Sequence, residues 1–395
     1  MRRTELLQGL RRMKFEAVLG RWRRQELSQL EAAEVLGLSE RSFRRWYQRY
    51  EEDGLEGLLD RRLGKPSPRR VADDWADRVE QLYRERYTGF NARHFWEHLV
   101  KDHGFPFSYN WTKTFLHRRQ LVPLAPRRGA HRKKRPRRPL IGMLLHQDGS
   151  RHGWVPGLEA ELDLIVTMDD ASSQIYSAFL VEEEGTMSRF QGLRETIGKH
   201  GLFCALYTDR GSHYFATPAA GGKVDKDNPT QIGRALAQLG IEHIAAYSPE
   251  ARGRSERMFA TLQDRLPKEL TLAGITTLAG ANRFIAEVYL PAHNARFAVE
   301  PEAPGSAFVC DRAGAWRDIL CVQEERTVGN DNTLRYHGRV LQLPKSPLRP
   351  HFVKAKVRVH HYPDGTLAVF HGPRCLARYT GNGPLCQPAN QARAA

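Results

Sequence analysis

Three acidic residues stand apart by their surroundings: Asp148 in HQDGS, Asp209 in YTDRGSHYF and Glu256 in YSPEARGRSERMF. The first closes an apolar run and the second directly follows another, where a strand would meet a loop. The third opens a helical stretch after a loop rich in turn formers. Carboxylates that converge on one spot repel one another and raise their pKa values, and divalent cations relieve that repulsion. Hard oxygen donors, with no Cys or His at ligand spacing, favour Mg2+ or Mn2+. Two such ions about 3.5–4 Å apart can activate an attacking hydroxyl and stabilise a leaving oxygen, which is phosphoryl-transfer chemistry.

The elements that must position these acids are legible from Leu140 onward. LIGMLLHQDG, Leu162–Asp170 and Gln174–Glu183 predict three successive strands. Then come a helix over Met187–Lys199, a strand over Leu202–Tyr207, a helix over Thr230–Leu239, a strand over Ile241–Ala245 and a helix over Arg254–Leu266. Three strands followed by alternating helix and strand describe an α/β fold, a mixed sheet with helices on its faces. Leu270–Arg296 reads as helical. Short β patterns over Arg326–Tyr379, with a hairpin turn at Pro363-Asp364-Gly365, predict a small antiparallel barrel. Lys354, Lys356 and Arg358 alternate onto one face of it.

The charge is concentrated elsewhere. Residues 1–140 carry 33 Lys and Arg against 18 Asp and Glu, so a net of +15 out of the formal +16 lies in the first third. A basic module ahead of a near-neutral one points to polyanion binding. Within it, SQLEAAEVLGLSERSFRRWYQRY predicts a helix-turn-helix: a helix over Gln29–Leu36, a tight turn at Gly37 and a second helix capped by Ser39. Phe43, Trp46 and Tyr50 form its apolar stripe, and Arg41, Arg44 and Arg45 face outward, suited to phosphates or guanine edges. Helical patterns at Trp75–Tyr87, Asn91–Lys101 and after Ser108 resemble a second, less clear helix-turn-helix. His94, His98 and His103 fall near one another there without a cysteine and read as surface or phosphate-contacting residues rather than ligands. PLAPRRGAHRKKRPRRP, with Arg132, Lys133, Lys134 and Arg135 at its centre, reads as an extended cationic tether that tracks a phosphate backbone. No apolar run reaches the length of a membrane span, and five scattered cysteines, nowhere spaced as CxxC, argue against a zinc knuckle and a disulfide framework.

The three acidic blocks resemble the signature blocks of DDE transposases and retroviral-type integrases, and the arrangement looks most like the ISNCY group of bacterial insertion-sequence transposases. The resemblance runs from the first helix-turn-helix to about Tyr379. It implies an RNase H-like core in which Asp148, Asp209 and Glu256 are catalytic and hold two Mg2+ or Mn2+ ions. It further implies double-stranded transposon-end DNA and target DNA as partners, and a homo-oligomer, dimer or tetramer, on DNA in the bacterial cytoplasm or nucleoid. Arg210, Arg252, Arg254 and Arg257 beside the acids are read as phosphate contacts, and His213 as structural. Asp169, whose neighbours Ala171 and Ser172 suit a turn, and Asp163 are weaker rivals for the first carboxylate. The longer gap between the second and third acids is assigned to an insertion over Pro218–Pro229. No His-His-Cys-Cys module is present, so end recognition falls to the helix-turn-helix modules.

On this reading the chain divides into a helix-turn-helix domain (1–70), a second helical domain (71–122), a basic linker (123–139), the RNase H-like domain (140–300), a linker (301–325), the small β-barrel (326–380) and a disordered tail (381–395). Two alternatives remain: a non-catalytic helix-turn-helix regulator derived from a transposase, and a structure-selective RNase H-like nuclease.

Overall fold

The computed structural model describes residues 3–59, 71–124, 135–216, 224–225, 227–247, 253–311, 313–345, 349–381 and 385–388. The chain forms two compact units, Met1–Arg78 and Val79–Ala395.

In the first unit, α1 (Arg3–Arg23) precedes α2 (Gln29–Leu36) and α3 (Glu40–Asp53). Ser28 caps α2 in a reciprocal box with Glu31, and Gly37 closes it at φ 66°, a left-handed conformation that a side chain would strain. Ser39 caps α3 through the Ser42 N–H (3.2 Å). The stripe expected on α3 packs against α1, with the Phe15 ring 5.8–5.9 Å from Phe43, Trp46 and Tyr50. Arg41, Arg44 and Arg45 are exposed, as expected.

The division falls within α4 (Asp73–Glu85); α5 (Ala92–His103) and α6 (Tyr109–Arg118) follow in the second unit, where Val79, Tyr83, Phe95, Leu99, Phe115 and Leu116 are buried. Its central sheet holds β1 (Leu145–His152), β2 (Leu162–Asp169), β3 (Ile175–Val181), β4 (Ala205–Thr208) and β5 (Glu242–Ala245), in the order β3-β2-β1-β4-β5. The first three strands are antiparallel, while β4 and β5 run parallel to β1. This is the mixed sheet expected. One face is covered by α7 (Thr186–His200) and α8 (Gln231–Gln238), whose Phe190, Leu193, Ile197, Ile232 and Leu236 pack with Leu145 and Leu206. The other is covered by α9 (Gly253–Leu272) and α10 (Leu278–Phe284), with Phe259, Leu262, Leu266 and Ala281 on Leu164, Val166 and Met168.

Pro267 predicts a break, yet α9 continues to Leu272, because Leu266 and Leu270 on either side are buried and outweigh one lost backbone hydrogen bond. A π-helical turn (Ile285–Tyr289) joins α10 to α11 (Leu290–Phe297). Two asparagines then cover the outer edge of β3: Asn282 exchanges hydrogen bonds with Leu180 N–H and C=O (2.7 and 2.9 Å), and Asn294 with those of Ile175 (2.9 and 2.8 Å).

The stretch expected to be a linker after residue 300 is stitched to this core. Leu202 and Val309 form a bridge, and Trp316 and Leu320, in and after the short α12 (Trp316–Ile319), are buried against α7. Beyond it lie β6 (Val322–Thr327), the β7 (Thr333–Tyr336)–β8 (Arg339–Gln342) hairpin, β9 (Lys356–His361), β10 (Leu367–His371), β11 (Arg374–Tyr379) and β12 (Leu385–Pro388). Among the described residues these form an open five-stranded antiparallel sheet, β12-β11-β10-β9-β6, and a separate hairpin sharing one apolar core, in place of the single barrel expected. β12 falls in the expected disordered tail; it finds backbone partners on β11. Lys354, Lys356 and Arg358 are exposed, Lys356 being paired with Glu325 (2.8 Å).

Asp170, wholly buried just after β2, ties several of these elements together. Its carboxylate takes hydrogen bonds from His146 Nε2 (2.8 Å), the Arg138 N–H (2.8 Å) and the guanidinium groups of Arg135 and Arg254. Burial alone would push its pKa up, but His146, the Arg138 N–H and Arg254 outweigh it and hold the carboxyl far below the usual range. A depressed folded-state pKa contributes stability that is fully present above the unfolded value of about 3.9 and is lost as pH falls below it. Asp170→Asn is expected to cost about 3–5 kcal/mol at pH 7 and to flatten the loss of stability below pH 4, both read from denaturant midpoints of the full chain.

Candidate active site

β1 and β4 are parallel neighbours, with Leu145 opposite Leu206 and His146 opposite Tyr207. Two residues further on, the same register carries Asp148 and Asp209 side by side. Asp148 is 8% exposed and Asp209 half-buried. Each carboxylate turns back onto a backbone N–H, Asp148 onto Gly149 and Asp209 onto Gly211 (both 3.0 Å). Both act electrostatically on the same three groups, Glu184, Arg189 and Tyr214.

Arg189, on α7 and 1% exposed, is paired with Glu184 and lies 5.2 Å from the Tyr214 ring. Burial works against its charge, but Tyr214, Glu184, Asp148 and Asp209 more than offset this and raise its pKa. Glu184 is shifted upward first by burial, then by the carboxylates of Asp163, Asp209 and Asp148, with Arg189 opposing. The site therefore holds a crowd of negative charge around one buried cation. Gly149 makes room for it: a β-carbon there would lie 2.2 Å from Glu184 Oε2 and 2.6 Å from Arg189 Nη2. An open cleft of about 420 Å3 is lined by Gly149, Asp163, Glu184, Ser212 and His213 among others. Burial and the Arg189 charge push the His213 pKa down, so its ring is neutral at pH 7, and its Nε2 is buried without a hydrogen-bond partner.

Glu256 is exposed in the first turn of α9. Gln263, two turns further along the same helix stripe, donates to Ser150 Oγ (3.0 Å). Ser150 and Asp148 share one face of β1, so Glu256 projects toward the face that carries Asp148. The structure thus brings Asp148 and Asp209 near the same buried groups and sets Glu256 on the adjoining helix stripe.

The rival acids have other tasks. Asp169, fully buried, accepts from Gly142 N (2.8 Å) and from the Ser172 N–H and hydroxyl, which fixes the turn after β2. Asp163 accepts from the Glu184 N–H (2.9 Å). Arg135 and Arg254, expected to grip phosphates, are instead bonded to Asp170, because a buried carboxylate needs compensating donors. Arg210 lies over the Tyr247 ring (5.1 Å) and Arg257 is exposed. Arg132, Lys133, Lys134 and Arg252, and most of the insertion over Pro218–Pro229, lie outside the described residues. His94 is 1% exposed and His98 largely covered, against the surface role expected, because α5 packs on α9.

Sequence reasoning missed Glu184 and Arg189. Glu184 is the last of three consecutive glutamates and looks like a solvated strand end; Arg189 looks like any cation on an amphipathic helix. Only the fold shows that both face the aspartates.

The Helix-turn-helix domain family matches residues 16–67, and the Homeodomain-like domain family matches residues 42–116. The chain is 32% identical over 350 residues to transposase y4bF of Sinorhizobium fredii, covering 87% of this chain and 75% of that one. It is 27% identical over 349 residues to the transposase for insertion sequence IS1202 of Streptococcus pneumoniae, covering 77% and 72% respectively. Among solved structures, the HTLV-2 integrase catalytic core domain in complex with magnesium aligns at 16% identity and a TM-score of 0.29, over 36% of this chain and 82% of that one. A simian T-cell lymphotropic virus intasome aligns at 16% and 0.31, over 73% and 91%. Likeness that slight adds nothing to what the sheet itself displays.

If Arg189 balances the carboxylates, Arg189→Met should lower stability in metal-free buffer by about 3 kcal/mol, and Mn2+ should restore part of it. Melting temperatures with and without Mn2+ check this; a melting temperature that Arg189→Met leaves unchanged would refute the balancing role.

Proposed function

Because the chain belongs to the insertion-sequence transposases, we propose that it is a DDE-type enzyme that cleaves the ends of its own mobile element and joins them to target DNA. Asp148, Asp209 and Glu256 are its catalytic carboxylates. The observation that carries this reading is the pair of aspartates on neighbouring parallel strands, Asp148 within β1 and Asp209 directly after β4, both adding to the upward pKa shift that burial gives Glu184. An all-oxygen donor set under mutual repulsion fits two Mg2+ or Mn2+ ions. When bound, such ions lower the barrier to attack on a phosphodiester and stabilise the departing oxygen.

The chain's own groups supply the rest. Asp148 and Asp209 are held in place by strand pairing and by their N–H contacts, so the donors are fixed before DNA arrives. Glu256 completes the set from the first turn of α9. Arg210 and Arg257 take flanking phosphate oxygens through charge-assisted bonds. Buried Arg189 stays out of reach of DNA and moderates the charge of the acids from below. Water cleaves first, the freed 3′-hydroxyl attacks second, and no covalent protein–DNA bond forms.

The exposed face of α3 enters a major groove of the end DNA. Two ends must meet for joining, so the working form is a dimer or tetramer on DNA. The ISNCY group is the family reading that goes with this proposal, on the combined arrangement of the helix-turn-helix and the three acidic blocks.

Asp148→Asn, Asp209→Asn and Glu256→Gln should each retain end-DNA binding while Mn2+-dependent cleavage and strand transfer fall more than about 100-fold, since even partners of metal ligands are worth 10–100-fold. Persistent cleavage in all three would overturn the assignment, and binding without cleavage in the unaltered chain would favour the regulator. Separately, Arg44→Ala should weaken binding to all DNA sequences alike and reduce the slope of log affinity against log salt by about 1; a gel-shift salt series measures it.

A further inference from the structure

A second polar cluster lies away from the carboxylates of the cleft, where α5 meets the far half of α9. His94 and His98, one turn apart on α5, aim their Nε2 atoms at the same oxygen of Glu269, at 2.6 and 3.1 Å. The three atoms lie within 4.8 Å of one another. His94 is 1% exposed, and its other ring nitrogen has no hydrogen-bond partner.

The tautomer of His98 is what singles this cluster out. Its Nδ1 lies 2.6 Å from Asp102 Oδ2, so the ring proton sits there. A neutral ring then turns its Nε2 lone pair toward the Glu269 carboxylate, acceptor against acceptor. Either a second proton or a cation must lie between them. A carboxylate holding the remote nitrogen of an imidazole is also how proteins orient metal-bound histidines. Glu97, between the two histidines in sequence, is engaged by Arg265 in a two-pronged pair (2.9 and 3.1 Å) and by Arg296. Among the described residues Glu97, Asp102 and Asp264 are thus each engaged by other partners, and the cluster suits a structural ion rather than a hydrolytic one.

We propose that His94 Nε2, His98 Nε2 and a Glu269 oxygen bind one Zn2+ ion that fastens α5 to α9. Two imidazoles and one carboxylate suit zinc, and water takes the fourth position. The ion replaces the proton otherwise needed between His98 and Glu269, and it braces the helix whose first turn carries Glu256. This inference is independent of the catalytic reading.

The test uses the full chain, stripped with chelator and titrated with Co2+, in both the unaltered protein and Asp148→Asn. Tetrahedral nitrogen-ligated cobalt absorbs visible light far more strongly than six-coordinate oxygen-ligated cobalt. One equivalent should give a strong band that Zn2+ abolishes, unchanged in Asp148→Asn and absent in His98→Ala. Asp102→Asn keeps all three ligands and should weaken zinc binding about 10–100-fold. Zn2+ should also raise the melting temperature of the unaltered protein. A weak octahedral spectrum in the unaltered chain, or a strong band that survives His98→Ala, would overturn the proposal.

Discussion

Like charges held close together are the constraint that shapes the second unit. The parallel register of β1 and β4 leads toward Asp148 and Asp209, and both acids act on Glu184, Arg189 and Tyr214. Everything nearby answers to that crowding. Arg189 is buried beneath the acids despite the cost of removing a guanidinium from water, Glu184 is pushed toward its neutral form, and Gly149 keeps its side chain out of the way. A fold that concentrates negative charge in this way suits small, hard cations, and the chemistry proposed for it starts from that match.

The same balance recurs with a different outcome around Asp170. That acid is more deeply buried, but four donors converge on it and hold it ionised. Its function is mechanical: it binds the chain around Arg135–Arg138, the first residue pairs of β1 and the start of α9 into one block. Asp148 and Asp170 illustrate how environment divides two identical side chains, one beside other carboxylates and one among donors.

Much of this could be read from the amino-acid order. The caps Ser28 and Ser39, the turn at Gly37 and the stripe Phe43, Trp46 and Tyr50 are local signals, and local signals survive into the fold. The central strands were readable because β2 is buried on both faces and so is apolar throughout. Where sequence reading failed, the deciding interaction was distant. Arg135 and Arg254 looked like phosphate ligands because nothing in their neighbourhoods announces Asp170. His94 looked like a surface residue because its partner, Glu269, lies beyond a proline that ought to have ended the helix. The β12 strand escaped notice because its hydrogen-bonding capacity, rather than its composition, places it.

The two asparagines along β3 have a consequence for how copies of this chain can assemble. An outer strand normally offers a row of vacant amide and carbonyl groups to which a neighbour's strand can be added. Asn282 and Asn294 imitate such a neighbour at both ends of β3, each with one donor and one acceptor. A second molecule seeking to extend the sheet there would have to evict both side-chain amides and the helices that carry them. Extension of the sheet across that border is thereby disfavoured.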